Sequence, residues 1–114
     1  MNRTGKIWGT TEALEANPFV SFHRAEVNAG FRCSRHRHER KWNGFFVESG
    51  FLLIRVYQPS GIEDVTELRA GDYTSVAPGV EHRFESVENS VLFELYWPDA
   101  LSEDIVRADE GGPL

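Results

Sequence analysis

A chain of 114 residues is long enough for one compact domain and too short for two ordinary ones. Forty per cent of it is apolar, with eight Phe, three Tyr and three Trp, so a hydrophobic core is expected and disorder is not. Eighteen acidic against twelve basic residues give a net charge of −6, a poor match to nucleic acid, and no apolar run approaches the roughly 20 residues of a membrane helix.

In chain order, "TTEALEAN" (10–17) predicts one or two helical turns, capped by Thr10 or Thr11 and stopped before Pro18. "FVSFHRAEV" (19–27) reads as a strand ending at Asn28-Ala29-Gly30, and residues 31–38 as a second one. "FFVESGFLLIRVY" (45–57) is two apolar runs broken at Ser49-Gly50 and stopped by Pro59-Ser60-Gly61. "DVTEL" (64–68), "YTSVA" (73–77), "HRFESV" (82–87) and "SVLFELYW" (90–97) follow, each bounded by Gly, Pro or Asn turn signals. "LSEDIVRAD" (101–109) is a short helix or an extended tail. Short strands at this spacing predict an all-β sandwich or barrel. Residues 20–98 form the barrel, 1–19 an N-terminal helix or strand contributing to a dimer, and 99–114 a C-terminal tail.

The chemistry concentrates in "SRHRHERKWNGFFVESG" (34–50). On a strand over 31–38, alternation puts Arg32, Ser34, His36 and His38 on one face and Phe31, Cys33, Arg35 and Arg37 on the other. Two imidazoles on one side can share a metal ion at about 2.1 Å from each nitrogen. A third ligand must come from His23 or His82, the only other histidines. His23 reads as a half-buried strand residue. Arg35, Arg37, Arg40 and Lys41 read as a solvated outer face and turn. Cys33, the single cysteine, excludes an internal disulfide and fits a reducing cytoplasm; opposite the histidines, it is buried packing. Glu94 lies within the apolar run "VLFELYW": it is either an edge carboxylate paired with an arginine or an inward general acid/base with a raised pKa. Phe46, Tyr73, Phe84 and Tyr96 are candidates to line an apolar pocket.

The run Gly30-x5-His36-x-His38-x4-Asn43-x6-Gly50 resembles the first motif of the cupins, and Gly71-x5-Ala77-x-Gly79-x2-His82 their second. The resemblance covers roughly residues 20–98 and implies a small jelly-roll β-barrel with a divalent metal ion in its mouth (Zn, Mn, Ni, Co or Fe), held by His36, His38 and His82. Two positions depart from the family pattern. Asn43 stands where a glutamate ligand is usual, and Ser86 where an Asn often ends the second motif. Asn43 reads equally as a weak neutral ligand or as a pocket-lining hydrogen bonder.

Three neutral imidazoles leave the ion's +2 charge uncompensated, which favours a small anionic ligand. "RKWNGFFVESG" and "HRFESVENSVLFELYW" are similar to the motif ends of sugar-phosphate isomerase-type cupins. The expectation is therefore a metal-dependent isomerase or lyase acting on a sugar phosphate or keto acid. The alternatives are a three-His iron(II) dioxygenase and a non-catalytic metal- or metabolite-binding module. A cytoplasmic homodimer joined through its terminal segments is expected, as cupins often are.

Overall fold

The computed structural model describes residues 2–114 and, within them, contains thirteen strands and no helix. They are β1 (Asn2–Lys6), β2 (Gly9–Ala16), β3 (Ser21–Val27), β4 (Phe31–Arg32), β5 (His36–Arg37), β6 (Trp42–Ser49) and β7 (Phe51–Tyr57). β8 (Glu63–Arg69), β9 (Tyr73–Val76), β10 (Glu81–Ser86), β11 (Ser90–Trp97), β12 (Val106–Arg107) and β13 (Gly112–Pro113) complete them. One sheet runs β1-β2-β3-β11-β6-β9. In the other, β10 pairs β5 and β4 on one side and β7 on the other, with β8, β12 and β13 outside them. Every pairing is antiparallel, and the architecture is an all-β jelly roll.

The two sheets face each other across a single core. One contributes Ala25, Val27, Phe45, Val47, Val76 and Leu92; the other contributes Leu52, Ile54, Leu68 and Phe84. Fully burying such a side chain contributes about 1.5–3 kcal/mol. These residues recur at every second position, as a half-buried strand requires. The same alternation continues past the apolar residues: Val47, Phe45 and Asn43 face inward along β6, Ser86, Phe84 and His82 along β10, and Leu92 and Glu94 along β11. One end of the interior is therefore apolar and the other polar.

Two sequence expectations change here and one open alternative is resolved. Residues 10–17 are not helical but lie in β2, hydrogen-bonded to β1 on one side and β3 on the other. A helix of one or two turns is marginal in water, and two flanking strands offer the same backbone a full ladder. Residues 31–38 are not one strand: Cys33–Arg35 leave the ladder between β4 and β5. At this break the Cys33 carbonyl accepts the Arg83 guanidinium at 3.0 Å, and Gly111 (φ 76°) packs where any Cβ would lie 2.5 Å from the Cys33 carbonyl carbon. Finally, residues 101–109 take the extended option, and the tail closes on the barrel through β12 against β5 and β13 against β4.

At the Gly50 turn between β6 and β7, φ is 99° and a Cβ would meet the Asn89 carbonyl at 2.5 Å, so only glycine fits.

Candidate metal centre

His82 enters from β10 and is Cα-paired with His36 of β5; His38 follows just after β5. All three are buried, their ring centroids lie 4.7–5.6 Å apart, and one nitrogen from each falls within 4.8 Å of the others. The backbone decides which nitrogen that is. His36 Nδ1 lies 2.7 Å from the Ser34 carbonyl, His38 Nδ1 2.6 Å from the Asp104 carbonyl, and His82 Nδ1 2.9 Å from the Val80 carbonyl. A carbonyl oxygen can only accept, so each Nδ1 carries the proton and each Nε2 presents a lone pair.

Those lone pairs have little to bind within the described residues. His38 Nε2 is buried without a hydrogen-bond partner. His82 Nε2 lies 3.3 Å from Asn43 Oδ1. The Asn43 amide nitrogen is turned toward the Gly44 and Leu95 carbonyls, at 3.4 and 3.3 Å, so two acceptors face each other. A cation satisfies this arrangement: three imidazole nitrogens and one amide oxygen suit a divalent transition metal or zinc.

Burial holds the imidazoles in their ligand form. His36 is pushed down to about 3 by desolvation and by the neighbouring His82 and His38. Desolvation takes His82 to about 4 and also lowers His38. A second ring of contacts fixes the loop behind them. Asp104 accepts the backbone N–H groups of Glu39 (2.8 Å), Arg40 (2.7 Å) and Lys41 (3.1 Å), while its own carbonyl orients His38. Gly79 (φ 80°), in the turn before β10, donates its N–H to the His38 carbonyl at 2.7 Å.

Through His36 the triad meets a cavity of about 510 Å³, whose lining also includes His23, Phe84, Glu94 and Tyr96. Burial raises the Glu94 carboxyl, and the hydrogen bonds of Tyr96 and Asn43 and the charge of Lys6 recover only part of the rise. Tyr96 donates its hydroxyl to Glu94 Oε2 at 2.5 Å. Its own ionisation is pushed well up by burial and by Glu94, so it remains a donor. Glu94 is thus inward rather than an edge carboxylate paired with an arginine.

Phe84 and Tyr96 line the cavity as expected, but Phe46 and Tyr73 do not. Both are on the outer face, 38% and 52% exposed, because Phe46 has the opposite strand parity to Asn43 and Phe45, and Tyr73 pairs opposite Phe46. Phe46 instead neighbours Phe93, which stacks on Phe22. Cys33 is buried packing, but it lines the same cavity as His36 rather than the opposite face, since the break after β4 resets the alternation. Its thiol is driven up by burial and is no nucleophile. Lys41 is not on a solvated turn: it is buried, with Nζ donating to the carbonyls of Ala100 (3.2 Å) and Ser102. Arg35 and Arg37 do point outward, paired with Glu81 and Glu39. His23 lines the cavity edge-on to Tyr96, a placement that its strand alone does not reveal. Ser86 closes a turn, bonding the Glu88 carbonyl and Ser90 Oγ.

The sequence matches the cupin domain family over residues 23–97. No curated protein matches the chain. Among solved structures, oxalate decarboxylase from Bacillus subtilis superposes with a TM-score of 0.79 at 15% identity, over 95% of this chain and 30% of that one. The formate complex of Lactobacillus farciminis oxalate decarboxylase gives 0.78 at 12% identity, over 94% and 33%. KdgF from Halomonas sp. gives 0.75 at 16% identity, over 86% of this chain and 88% of that one. The chain therefore spans about a third of the oxalate decarboxylases and nearly all of KdgF, and at these identities the likeness is one of fold. With a family match over most of its length, a jelly roll of the matching shape and the motif histidines gathered at one end of it, the chain belongs to the cupin family.

Proposed function

We propose that this cupin is a metal-dependent enzyme acting on a small organic anion, of the lyase or isomerase type, with a divalent ion held by His36, His38 and His82 and approached by Asn43 Oδ1. One observation carries the reading: three imidazole lone pairs and one amide oxygen converge with no donor to satisfy them. The fold shared with oxalate decarboxylase, whose name denotes the loss of a carboxyl group from a small acid, supports the substrate class.

A bound ion supplies Lewis-acid polarisation of a substrate oxygen. The chain supplies the rest. All four metal-facing groups are neutral, so the centre retains positive charge and selects for an anion. Phe84 and buried Trp8, packed edge to face at 5.0 Å, form an apolar wall that excludes water from one side of the cavity. Burial raises the Glu94 pKa, and with Oε2 taken by the Tyr96 hydroxyl, Oε1 is the oxygen left to exchange a proton. It is positioned to deliver that proton to a substrate carbon or oxygen and to recover it.

Metal analysis of protein purified without added metal tests the reading. About one equivalent is expected, and its absence together with failure of zinc, manganese, nickel, cobalt and iron(II) to bind would overturn it. With metal bound, Glu94→Gln should retain the ion and lose about 10²–10⁴-fold in turnover. Oxygen uptake by the iron-loaded protein would instead favour a dioxygenase, and ligand binding without turnover a sensing module. The reading includes a homodimer; the outer face carrying Phe22, Phe46, Tyr73 and Phe93 supports it, and light scattering decides it.

A further inference from the structure

The chain has twelve Lys and Arg residues, and nine of them are engaged. Arg3, Arg24, Arg35, Arg37, Arg40, Arg55 and Arg83 pair with carboxylates. Lys41 is tied to two carbonyls, and Arg69 stacks on Phe51 at 3.9 Å. Among the described residues three cations have no ion pair or aromatic partner. Arg32 borders a separate depression that already holds Glu63 and Glu85. The other two, Lys6 and Arg107, both line the triad cavity. In a protein with six more carboxylates than cations, leaving two cations unpaired beside one cavity calls for an occupant. Glu110 also lines the cavity and pairs with neither.

Their positions suit a ligand with two ends. Arg107 of β12 is Cα-paired with His36, so it stands one strand away from the triad. Lys6 ends β1, on the other sheet. Its charge falls on Glu94, whereas that of Arg107 reaches His36 and Tyr96. Both come from chain segments outside residues 23–97, so neither belongs to the part of the chain that matches the family. Resting on the metal reading above, we propose that Lys6 and Arg107 clamp a carboxylate at the cavity mouth, so that the ligand is an organic acid whose other end reaches the triad. An Arg fork takes a carboxylate through two parallel hydrogen bonds, and Lys adds a point charge. The same pair of cations also suits a phosphate, which titration with inorganic phosphate distinguishes. Ile7, Trp8 and Ile105 give the same cavity apolar lining for a carbon skeleton.

Calorimetric titration of the metal-loaded protein with 2-oxoglutarate and with 2-oxobutyrate tests this. The two share a keto-acid end, and only the first has a second carboxylate for the clamp. 2-Oxoglutarate should bind the more tightly. Lys6→Gln and Arg107→Gln should each weaken it by about tenfold or more while changing 2-oxobutyrate by less than about twofold. Arg107→Lys should recover part of the loss. Both side chains are exposed, so the variants should melt with the wild type. Equal affinity for the two acids, indifference of 2-oxoglutarate to both substitutions, or tighter binding of inorganic phosphate than of 2-oxoglutarate would each overturn the clamp. The metal reading fails separately, through metal content. In that event, titrating metal-free protein with 2-oxoglutarate still decides the clamp by its sensitivity to Arg107→Gln.

Discussion

The two ends of the barrel interior are built by the same strands and differ in chemistry. At one end Val27, Val47, Leu52 and Leu92 are at most 2% exposed. At the other, the same inward-facing positions carry His23, Asn43, His82, Glu94 and Tyr96, a few residues further along those strands. The apolar end gains stability from every methylene that it buries. The polar end gives up that gain and gathers unpaired lone pairs and a carboxyl whose pKa burial raises, groups that serve a ligand. In this fold the site is the half of the core where hydrophobic burial was forgone.

That contrast is most directly broken by one substitution at each end. His82→Ala should abolish stoichiometric metal binding, read by elemental analysis, with little change in the melting temperature of the metal-free protein. Leu92→Ala should do the reverse, costing about 2–5 kcal/mol in denaturant unfolding while the metal still binds. If either variant lost both properties, the two ends would not be separable. Asp104→Ala should have an intermediate effect. Removing the carboxylate that gathers three backbone N–H groups loosens the loop carrying His38, and metal affinity should fall about 10–100-fold without loss of the fold. A competitive chelator titration measures this.

A further effect, comparable in size to the core truncation, is graded by pH. His36 and His82 fall from 6.5 in the unfolded chain to about 3 and about 4 in the fold. Between those values the unfolded state binds more protons. Their contribution is therefore fully present above about pH 6.5 and is lost as pH falls toward 3–4. Metal-free protein should lose on the order of a few kcal/mol between pH 7 and 4, at about 1.4 kcal/mol per pH unit for each group. A flat stability profile across that range would contradict the buried, neutral imidazoles.

What the sequence made legible was local. The His-x-His spacing, the two glycine frames and the breaks between strands are all read within a dozen residues, and they led to the fold and the triad. Alternation also held the signal that was missed on β6: with Asn43 facing inward, Phe46 three positions on faces outward. Pairings between distant segments were illegible. β2 looks helical until β1 and β3 supply its partners, and Cys33 looks outward until Gly111 and Arg83 break its strand. Asp104, Lys6 and Arg107 gave no signal, because nothing near them in sequence resembles a site; only the return of both chain ends to the barrel brings them to it.

All three ligand rings are oriented by main-chain carbonyls, those of Ser34, Val80 and Asp104, and only His36 also meets a side chain there, Ser34 Oγ at 2.9 Å. Most residue types can supply the same oxygen. Position 80 can therefore change without turning His82, whereas a one-residue insertion or deletion beside it would misaim the ring. The aim of the ligands thus depends on loop length more than on the residues that the loops contain.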